Sequence, residues 1–213
     1  MKVGLLFDLD GTLLDTLGDL RNSVNVALAQ FGYPQRTLAE IRSFVGTGAR
    51  NLSRLSMPEG KDNVDEVLAA FQAHYKDHCN IETGPYAGIP AALEELKDIP
   101  MAIVSNKPDY AVKELAAIYF PGIYALGEVA GIPRKPAPDM LFKAMADIGV
   151  ETCIYIGDSE VDVTTAHGAN LPCLSVTWGF RDQACLEEAG GKHFCHDPKD
   201  LAAKLEEMMN HGQ

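Results

Sequence analysis

The stretch that decides the fold is VGLLFDLDGTLL, which runs from Val3 to Leu14. Its first five residues, Val3–Phe7, form a continuous apolar run, which is typical of a strand covered on both faces of a parallel sheet. Two carboxylates, Asp8 and Asp10, follow where that strand should end. They indicate either an ordinary turn or a site that needs negative charge at this end of the strand.

The rest of the chain divides into a helical block and an alternating block. Between residues 15 and 83 apolar residues recur every three or four positions and no strand pattern appears, which predicts an all-helical unit. The segment Thr83–Pro90 is rich in Gly and Pro and is typical of a linker. Beyond it, predicted helices alternate with five predicted strands. These strands are Met101–Val104, Tyr124–Gly127, Cys153–Ile156, Cys173–Val176 and His193–Cys195.

Alternation of this kind predicts right-handed crossovers and a parallel sheet with helices on both faces. The predicted fold is therefore an α/β, Rossmann-like core formed by residues 1–14 and 84–213. Residues 15–83 are predicted to be a helical cap domain inserted after the first strand.

Composition excludes several classes of protein. The 213-residue chain has 30 acidic and 18 basic residues and a formal net charge of -12, so we expect no nucleic-acid partner. Its five cysteines are odd in number and contain no CxxC pair, which favours a reduced, cytoplasmic protein over a disulfide framework. The first apolar run is too short for a signal peptide. No run approaches the roughly 18 apolar residues of a membrane span, so we expect no membrane partner.

Polar residues follow three predicted strands at the edge where open parallel sheets bind their ligands. After the first strand comes Asp8-Leu9-Asp10-Gly11-Thr12, and after Met101–Val104 comes Ser105-Asn106-Lys107. Gly157-Asp158-Ser159-Glu160-Val161-Asp162 follows Cys153–Ile156, and Lys135 lies in the loop before the next helix. Three carboxylates, a Ser/Asn pair and a lysine are thus predicted to converge.

These four motifs, in this order, resemble those of the haloacid dehalogenase superfamily of phosphohydrolases. The resemblance covers the whole chain, since the helical insert is similar to that family's cap. The phrases GTLLDT, SNKP, KPAPD, GDS and TWGF are most similar to the phosphoglycolate-phosphatase-like group. The resemblance implies a phosphatase of small phosphorylated metabolites, with 2-phosphoglycolate as one candidate substrate.

The resemblance also implies a role for each motif residue. Asp8 would be the nucleophile that forms an aspartyl-phosphate, and Asp10 the general acid and base. The implied cofactor is Mg²⁺, held by the carboxylates of Asp8 and Asp158 and the backbone carbonyl of Asp10. Asp162 lies four residues after Asp158 and would orient a metal-bound water.

The phosphate is expected to be held by Ser105, Asn106 and Lys135, with Thr12 supporting the first loop. In the cap, the loop that contains Thr47 and Gly48 is expected to face the site, with Arg50 clamping a substrate carboxylate. The alternative for Arg50 is a solvated side chain. Hinges for cap movement are predicted near Thr16 and in Thr83–Tyr86.

Two further features are left open by the sequence. The run HFCH, His193–His196, offers metal-ligand atoms, but a strand would divide them between its two faces. Trp178, the only tryptophan, either lines the mouth of the site or packs in the core.

Alternative functions follow from the same resemblance. A sugar-phosphate mutase of the β-phosphoglucomutase type is less favoured, because such proteins tend to have Val at the position of Thr12 and basic residues early in the cap. A dehalogenase would lack Asp10, and a phosphonate hydrolase would need a cap lysine earlier than Lys61. A catalytically inactive binding protein on this fold is the remaining alternative. The sequence leaves open whether the chain is a monomer or a homodimer.

Overall fold

The structure is a computed structural model that describes residues 2–211, the last of them by its backbone only. Its strands are β1 (Val3–Phe7), β2 (Leu14–Asp15), β3 (Gly84–Pro85), β4 (Met101–Pro108), β5 (Tyr124–Glu128), β6 (Thr152–Gly157), β7 (Cys173–Val176) and β8 (His193–Cys195). Its α-helices are α1 (Leu17–Gln30), α2 (Leu38–Phe44), α3 (Ala49–Ser56), α4 (Val64–His78), α5 (Ile89–Glu95), α6 (Asp109–Tyr119), α7 (Asp139–Ile148), α8 (Glu160–Gly168), α9 (Gln183–Glu188) and α10 (Leu201–His211).

Six strands form one parallel sheet in the order β5-β4-β1-β6-β7-β8. The first strand lies inside the sheet, with Leu5 opposite Met101 of β4 and Ile154 of β6. This is the predicted parallel α/β sheet, and β1, β7 and β8 have the predicted bounds.

The sheet has a separate apolar core on each face. Leu5 and Phe7 belong to one cluster of buried side chains, whereas Leu6 between them belongs to the other. Successive side chains of a strand point to opposite faces, so a strand with both faces covered must be apolar throughout. That requirement explains the uninterrupted run that precedes Asp8.

Residues 15–83 contain the four helices α1–α4, of which α1 and α4 pack against each other. Their apolar faces supply buried side chains, including Val24, Leu28, Val67 and Phe71. The extent of a separate cap domain stays a prediction, although the helical content of this segment is as expected.

The connections at the two ends of this segment differ from the predicted linker. Gly84–Pro85 is a short strand, β3, that pairs antiparallel with β2. The buried carboxylate of Asp19 accepts hydrogen bonds from the backbone N–H groups of residues 81, 82 and 83, at 2.9–3.0 Å. The sequence pattern did not predict these backbone hydrogen bonds. Gly and Pro here mark a place where two chain segments pair closely, whereas the pattern indicated an unpaired linker.

The ends of three helices show local features of the sequence. Helix α9 has six residues, too few to show a helical period in the sequence. Helix α8 ends at Gly168, and Asn170 beyond it adopts the left-handed conformation with φ 56°. Asn tolerates that conformation better than most residues. The last helix begins at Leu201, after a 3₁₀ turn at Pro198–Asp200.

All five cysteines are free in the structure. None of the helices in residues 2–211 combines the length and apolar character that would carry it through a membrane.

Candidate active site

The predicted site residues converge at the carboxyl edge of the sheet. Asp8 and Asp10 follow β1, Ser105–Lys107 form the end of β4, and Asp158 follows β6. Together with side chains from residues 15–83 they line a cavity of about 50 Å³. The edge that was predicted from the strand order is therefore also the place where the chain forms a cavity.

Asp8 lies at the centre of this edge and is 8% exposed. One of its carboxylate oxygens, Oδ1, accepts the N–H of Leu9 at 2.7 Å and lies 3.0 Å from Nζ of Lys135. Burial raises the pKa of Asp8 to about 7, although Lys135 opposes the shift. A carboxylate with this pKa needs a second positive charge nearby to stay ionised.

Asp158 and Asp162 complete a cluster with Asp8 in which a carboxylate oxygen from each lies within 4.8 Å of the others. Asp158 accepts hydrogen bonds from Oγ1 of Thr12 at 3.1 Å and from the N–H of Phe180 at 2.7 Å. Burial, followed by the charges of Asp162 and Asp8, raises the pKa of Asp158 well above its usual range. Asp158, like Asp8, therefore has too little positive charge around it to stabilise its ionised form.

The Asp162 carboxylate is fully engaged with other side chains. Its Oδ1 contacts Nζ of Lys135 and the hydroxyl of Tyr155, each at 2.8 Å. Its Oδ2 accepts the N–H and the hydroxyl of Ser159, at 3.1 and 2.6 Å. Burial alone would raise the pKa of Asp162, but Lys135 and these hydrogen bonds hold it below the usual value. Asp162 thus positions Lys135 and caps α8, since Ser159 and Asp162 form a capping box.

Lys135 joins the two parts of this cluster. Its ammonium is buried between Asp8 and Asp162 and donates to the hydroxyl of Tyr155 at 2.8 Å. Asn106 fixes the backbone of Lys135 from both sides, by accepting its N–H at 2.9 Å and donating to its carbonyl at 2.8 Å. The same Asn106 amide donates to the carbonyl of Gly46 in the helical segment, at 3.0 Å.

A second buried lysine was missed by the sequence prediction. Lys107 contacts both carboxylate oxygens of Asp10, at 2.7 and 2.9 Å, and lies 4.9 Å from the ring centroid of Tyr75. Asp10 also accepts a hydrogen bond from the hydroxyl of Thr16 at 2.6 Å. The signal was present, because a lysine two residues after Ser105 on one strand shares its face, and buried lysines are nearly always paired.

The charges at this edge fit a divalent cation. Four carboxylates, those of Asp8, Asp10, Asp158 and Asp162, face two ammonium groups, those of Lys107 and Lys135. The surplus of two negative charges would be costly in a buried site unless a cation balanced it. Hard oxygen donors are the ligands that Mg²⁺ and Ca²⁺ prefer, so the residues present fit such an ion.

Two glycines leave room for Asp158. A Cβ on Gly179 would lie 2.4 Å from both Cβ and Oδ2 of Asp158. A Cβ on Gly11, whose φ is +82°, would lie 2.2 Å from the same Oδ2. Side chains at either position would therefore collide with this carboxylate.

Other predicted site residues lie in different surroundings. Ser105 lines the cavity, whereas the hydroxyl of Thr12 donates to Asp158. Gly48 lines the cavity, but Thr47 accepts a hydrogen bond from the Asn51 amide.

Arg50 does not line the cavity and pairs with Asp65 on the protein surface, which matches the solvated alternative. It turns outward because α3 exposes that position, and the structure does not bring it to the other site residues.

The loop after β7 closes the site against the helical segment. Arg42 donates to the carbonyls of Gly179 and Phe180, at 2.5 and 2.9 Å. Arg181 donates to the carbonyls of Arg42 and Val45, each at 2.8 Å, and its Nε pairs with Glu160. Because the N–H of Phe180 also binds Asp158, this loop links residues 15–83 to the acidic cluster.

The two features left open by the sequence can be placed. Trp178 is half-buried and donates its indole N–H to the carbonyl of Thr12 at 3.0 Å, so it supports the first loop. His196 contacts the hydroxyl of Thr177, and His193 is exposed. Within the described part of the chain, no three potential metal ligands gather around HFCH.

Comparison with known proteins agrees with this site. A family model described as haloacid dehalogenase-like hydrolase matches residues 5–176. The phosphoglycolate phosphatase of Rhodobacter capsulatus is 37% identical over 194 residues, which cover 85% of this chain and 87% of that protein. Phosphoglycolate phosphatase 1 of Pseudomonas aeruginosa is 33% identical over 211 residues, covering 92% and 77%.

Solved structures show the same likeness. A crystal structure of a candidate phosphoglycolate phosphatase from Lactobacillus delbrueckii subsp. bulgaricus superposes with a TM-score of 0.88 and 36% sequence identity. The match covers 95% of this chain and 98% of that one. With the family model spanning both the first strand and the acidic loop after β6, the chain belongs to the haloacid dehalogenase-like hydrolase family.

Proposed function

We propose that the protein is a Mg²⁺-dependent phosphatase that hydrolyses small phosphate monoesters through an aspartyl-phosphate on Asp8. The observation that carries the proposal is that a carboxylate oxygen of Asp8 lies within 4.8 Å of one from Asp158 and one from Asp162, which follow Asp8 by 150 and 154 residues in the sequence. The relatives named as phosphoglycolate phosphatases support a phosphate monoester as substrate. They also make 2-phosphoglycolate the first compound to test.

The two carboxylates after β1 suit different parts of the reaction. Asp8 faces the acidic cluster and Lys135, so its free carboxylate oxygen is the candidate nucleophile. Asp10 faces Lys107 and Thr16, and would give a proton to the leaving alcohol and then take one from the attacking water. Proton transfer of this kind typically contributes a factor of about 10²–10⁴ to the rate.

The proposed metal ligands are the carboxylates of Asp8 and Asp158 and the backbone carbonyl of Asp10. Asp162 is not a proposed direct ligand, because each of its oxygens already accepts two hydrogen bonds, one of them from the ammonium of Lys135. Each oxygen of Asp158 accepts only one. A bound Mg²⁺ would supply positive charge that offsets the repulsion between a dianionic phosphate and a carboxylate.

Ser105, Asn106 and Lys135 are the proposed phosphate-binding residues, with Thr12 acting through Asp158. Lys135 already holds a buried positive charge beside Asp8, as this role requires. Residues 15–83 would act as a cap that excludes water from the cavity while the reaction proceeds. The contacts of Asn106 with Gly46 and of Arg42 with the loop after β7 support a closed arrangement.

The proposal is tested with purified protein, a chromogenic aryl phosphate and 2-phosphoglycolate, with Mg²⁺ and with excess chelator. We expect turnover that requires the metal and that is lost in Asp8→Asn, because an amide is a far weaker nucleophile than a carboxylate. Asp65→Asn, which alters an exposed carboxylate distant from the cavity, is the matched control and should retain activity.

Two results would contradict the proposal. Turnover retained in Asp8→Asn would exclude Asp8 as the nucleophile. A folded wild-type protein that hydrolyses no phosphate monoester with Mg²⁺ would favour a binding protein on this fold. Isomerisation of a sugar phosphate without release of phosphate would instead favour a mutase.

A further inference from the structure

The cavity beside the acidic cluster is lined by a buried hydroxyl whose proton has no acceptor. Tyr75, on α4, is 0% exposed, and no described residue accepts a hydrogen bond from its hydroxyl. The ammonium of Lys107 lies near this hydroxyl but can only donate to it. A buried hydroxyl proton without an acceptor is unfavourable and is rare in folded proteins. Such a group is explained if it binds something that enters the cavity.

The Tyr75 hydroxyl is suited to donate a hydrogen bond. Burial raises the pKa of the phenol, so the hydroxyl keeps its proton at neutral pH. The ammonium of Lys107 lies 4.9 Å from the ring centroid and close to the hydroxyl, and it is bound to both oxygens of Asp10. The phenol therefore stands beside the carboxylate that would protonate the leaving alcohol.

Other cationic groups of the cavity are already committed. Of the basic side chains that line it, Lys107 pairs with Asp10, and Arg181 binds Glu160 and two backbone carbonyls. The wall opposite the acidic cluster is apolar. It is formed by Leu20, Val45, Ala49, Leu52 and Phe71.

The cavity is lined by Asp8, Asp10 and Asp158 as well as by Tyr75, so one small molecule can reach both the acidic residues and the phenol.

We propose that the Tyr75 hydroxyl binds an acceptor oxygen of the leaving alcohol. The preferred substrates are then short phosphate monoesters that carry such an oxygen two carbons away from the ester oxygen. Both a carboxylate, as in 2-phosphoglycolate, and a hydroxyl, as in 2-hydroxyethyl phosphate, provide it. This inference rests on the proposed function and names the substrate class of that site.

The test compares three esters that differ only at this position: 2-phosphoglycolate, 2-hydroxyethyl phosphate and ethyl phosphate, which lacks the acceptor. For wild type and Tyr75→Phe, kcat/KM is measured with Mg²⁺. We expect the preference for the acceptor-bearing esters over ethyl phosphate to fall about tenfold in Tyr75→Phe, mainly through KM. If Tyr75→Phe lowers kcat/KM for 2-phosphoglycolate alone, the hydroxyl binds a carboxylate. If it lowers kcat/KM for both 2-phosphoglycolate and 2-hydroxyethyl phosphate, the hydroxyl binds either kind of acceptor oxygen.

Tyr33→Phe is the matched control. Tyr33 bonds to Asn63 in the same helical segment and does not line the cavity, so its loss should leave the preference unchanged. Tyr75→Phe should change the melting temperature little, because the ring keeps its packing and its contact with Lys107 while only a hydroxyl without an acceptor is removed.

Calorimetric binding separates this inference from the proposed function. The same three esters are titrated into Asp8→Asn and into Asp8→Asn/Tyr75→Phe, so that no turnover is needed. A binding preference that disappears with Tyr75→Phe supports the inference even if the wild type shows no hydrolysis. An unchanged preference, or an equal loss for all three esters, would overturn it while leaving the proposed phosphatase activity intact.

Discussion

Nζ of Lys107 and the carboxylate of Asp10 form a buried ion pair, with distances of 2.7 and 2.9 Å to the two oxygens. The lysine side chain is 2% exposed and that of the aspartate 12%. Lys107 lies at the end of β4 and Asp10 in the loop after the neighbouring strand β1, 97 positions apart in the sequence. The residue proposed as general acid thus depends on a partner from a different motif.

Substituting Lys107→Met should impair both stability and turnover. Removal of one partner from a buried pair leaves an uncompensated charge and typically costs about 3–5 kcal/mol. Asp10 would also lose the contact that orients it, so we expect kcat to fall by at least about tenfold. Urea unfolding and steady-state kinetics measure the two effects. Lys113→Met, at an exposed pair with Asp109, is the control, and equal losses in both variants would contradict the prediction.

Substituting Asp162→Asn should weaken metal binding although Asp162 is not a proposed ligand. The amide cannot accept all the bonds that now come from Lys135, Tyr155 and Ser159, so Lys135 and the start of α8 should shift. Loss of such a supporting residue typically lowers metal affinity by about 10–100-fold. Titration of Mg²⁺ by calorimetry checks this without any turnover. Wild-type affinity in a folded variant would show that Asp162 has no such role.

Gly179→Ala should displace Asp158, because the new methyl group would lie 2.4 Å from Cβ and Oδ2 of that residue. Overpacking of this kind typically costs about 1–3 kcal/mol, and here it also moves a proposed metal ligand. We expect Mg²⁺-dependent turnover to fall by at least about tenfold. Gly84→Ala is the matched control, since a Cβ there would have nothing within 4 Å. Full activity in Gly179→Ala would indicate that the loop after β7 moves freely away from Asp158.

Asp19→Ala should loosen the connection between α4 and β3. It would leave the N–H groups of Ile81, Glu82 and Thr83 without their common acceptor. Thr83 is buried, and an unpaired buried group costs about 1–3 kcal/mol. Amide hydrogen exchange at these three positions should accelerate, and the free energy of unfolding should decrease. Asp62→Ala, at an exposed position, should change neither quantity. Unaltered protection in Asp19→Ala would mean that other contacts hold this segment.

The sheet was predictable because its signals are local. The apolar run Val3–Phe7 and the carboxylates that follow it are adjacent in sequence, so the strand and the point where it ends could be recognised directly. Contacts between distant segments were not predictable in the same way. The pairing of Lys107 with Asp10 depends on the strand order. The lack of an acceptor for the Tyr75 hydroxyl depends on how side chains pack around the cavity.

Arg50 shows the same limit. Its residue type suits a substrate carboxylate, but in the structure its guanidinium pairs with Asp65 on the surface, and neither residue alone indicates that pair. The role of Arg50 as a substrate clamp stays a prediction.

The two-sided burial of β1 also limits how the length of the chain can vary. Leu5 and Phe7 fill one core and Leu6 fills the other, and Asp8 continues the same alternation. Inserting or deleting a single residue between Val3 and Asp8 would exchange the two faces and turn every later side chain of the strand around. We therefore expect natural length differences to fall in surface turns such as residues 58–62, which are exposed or half-buried.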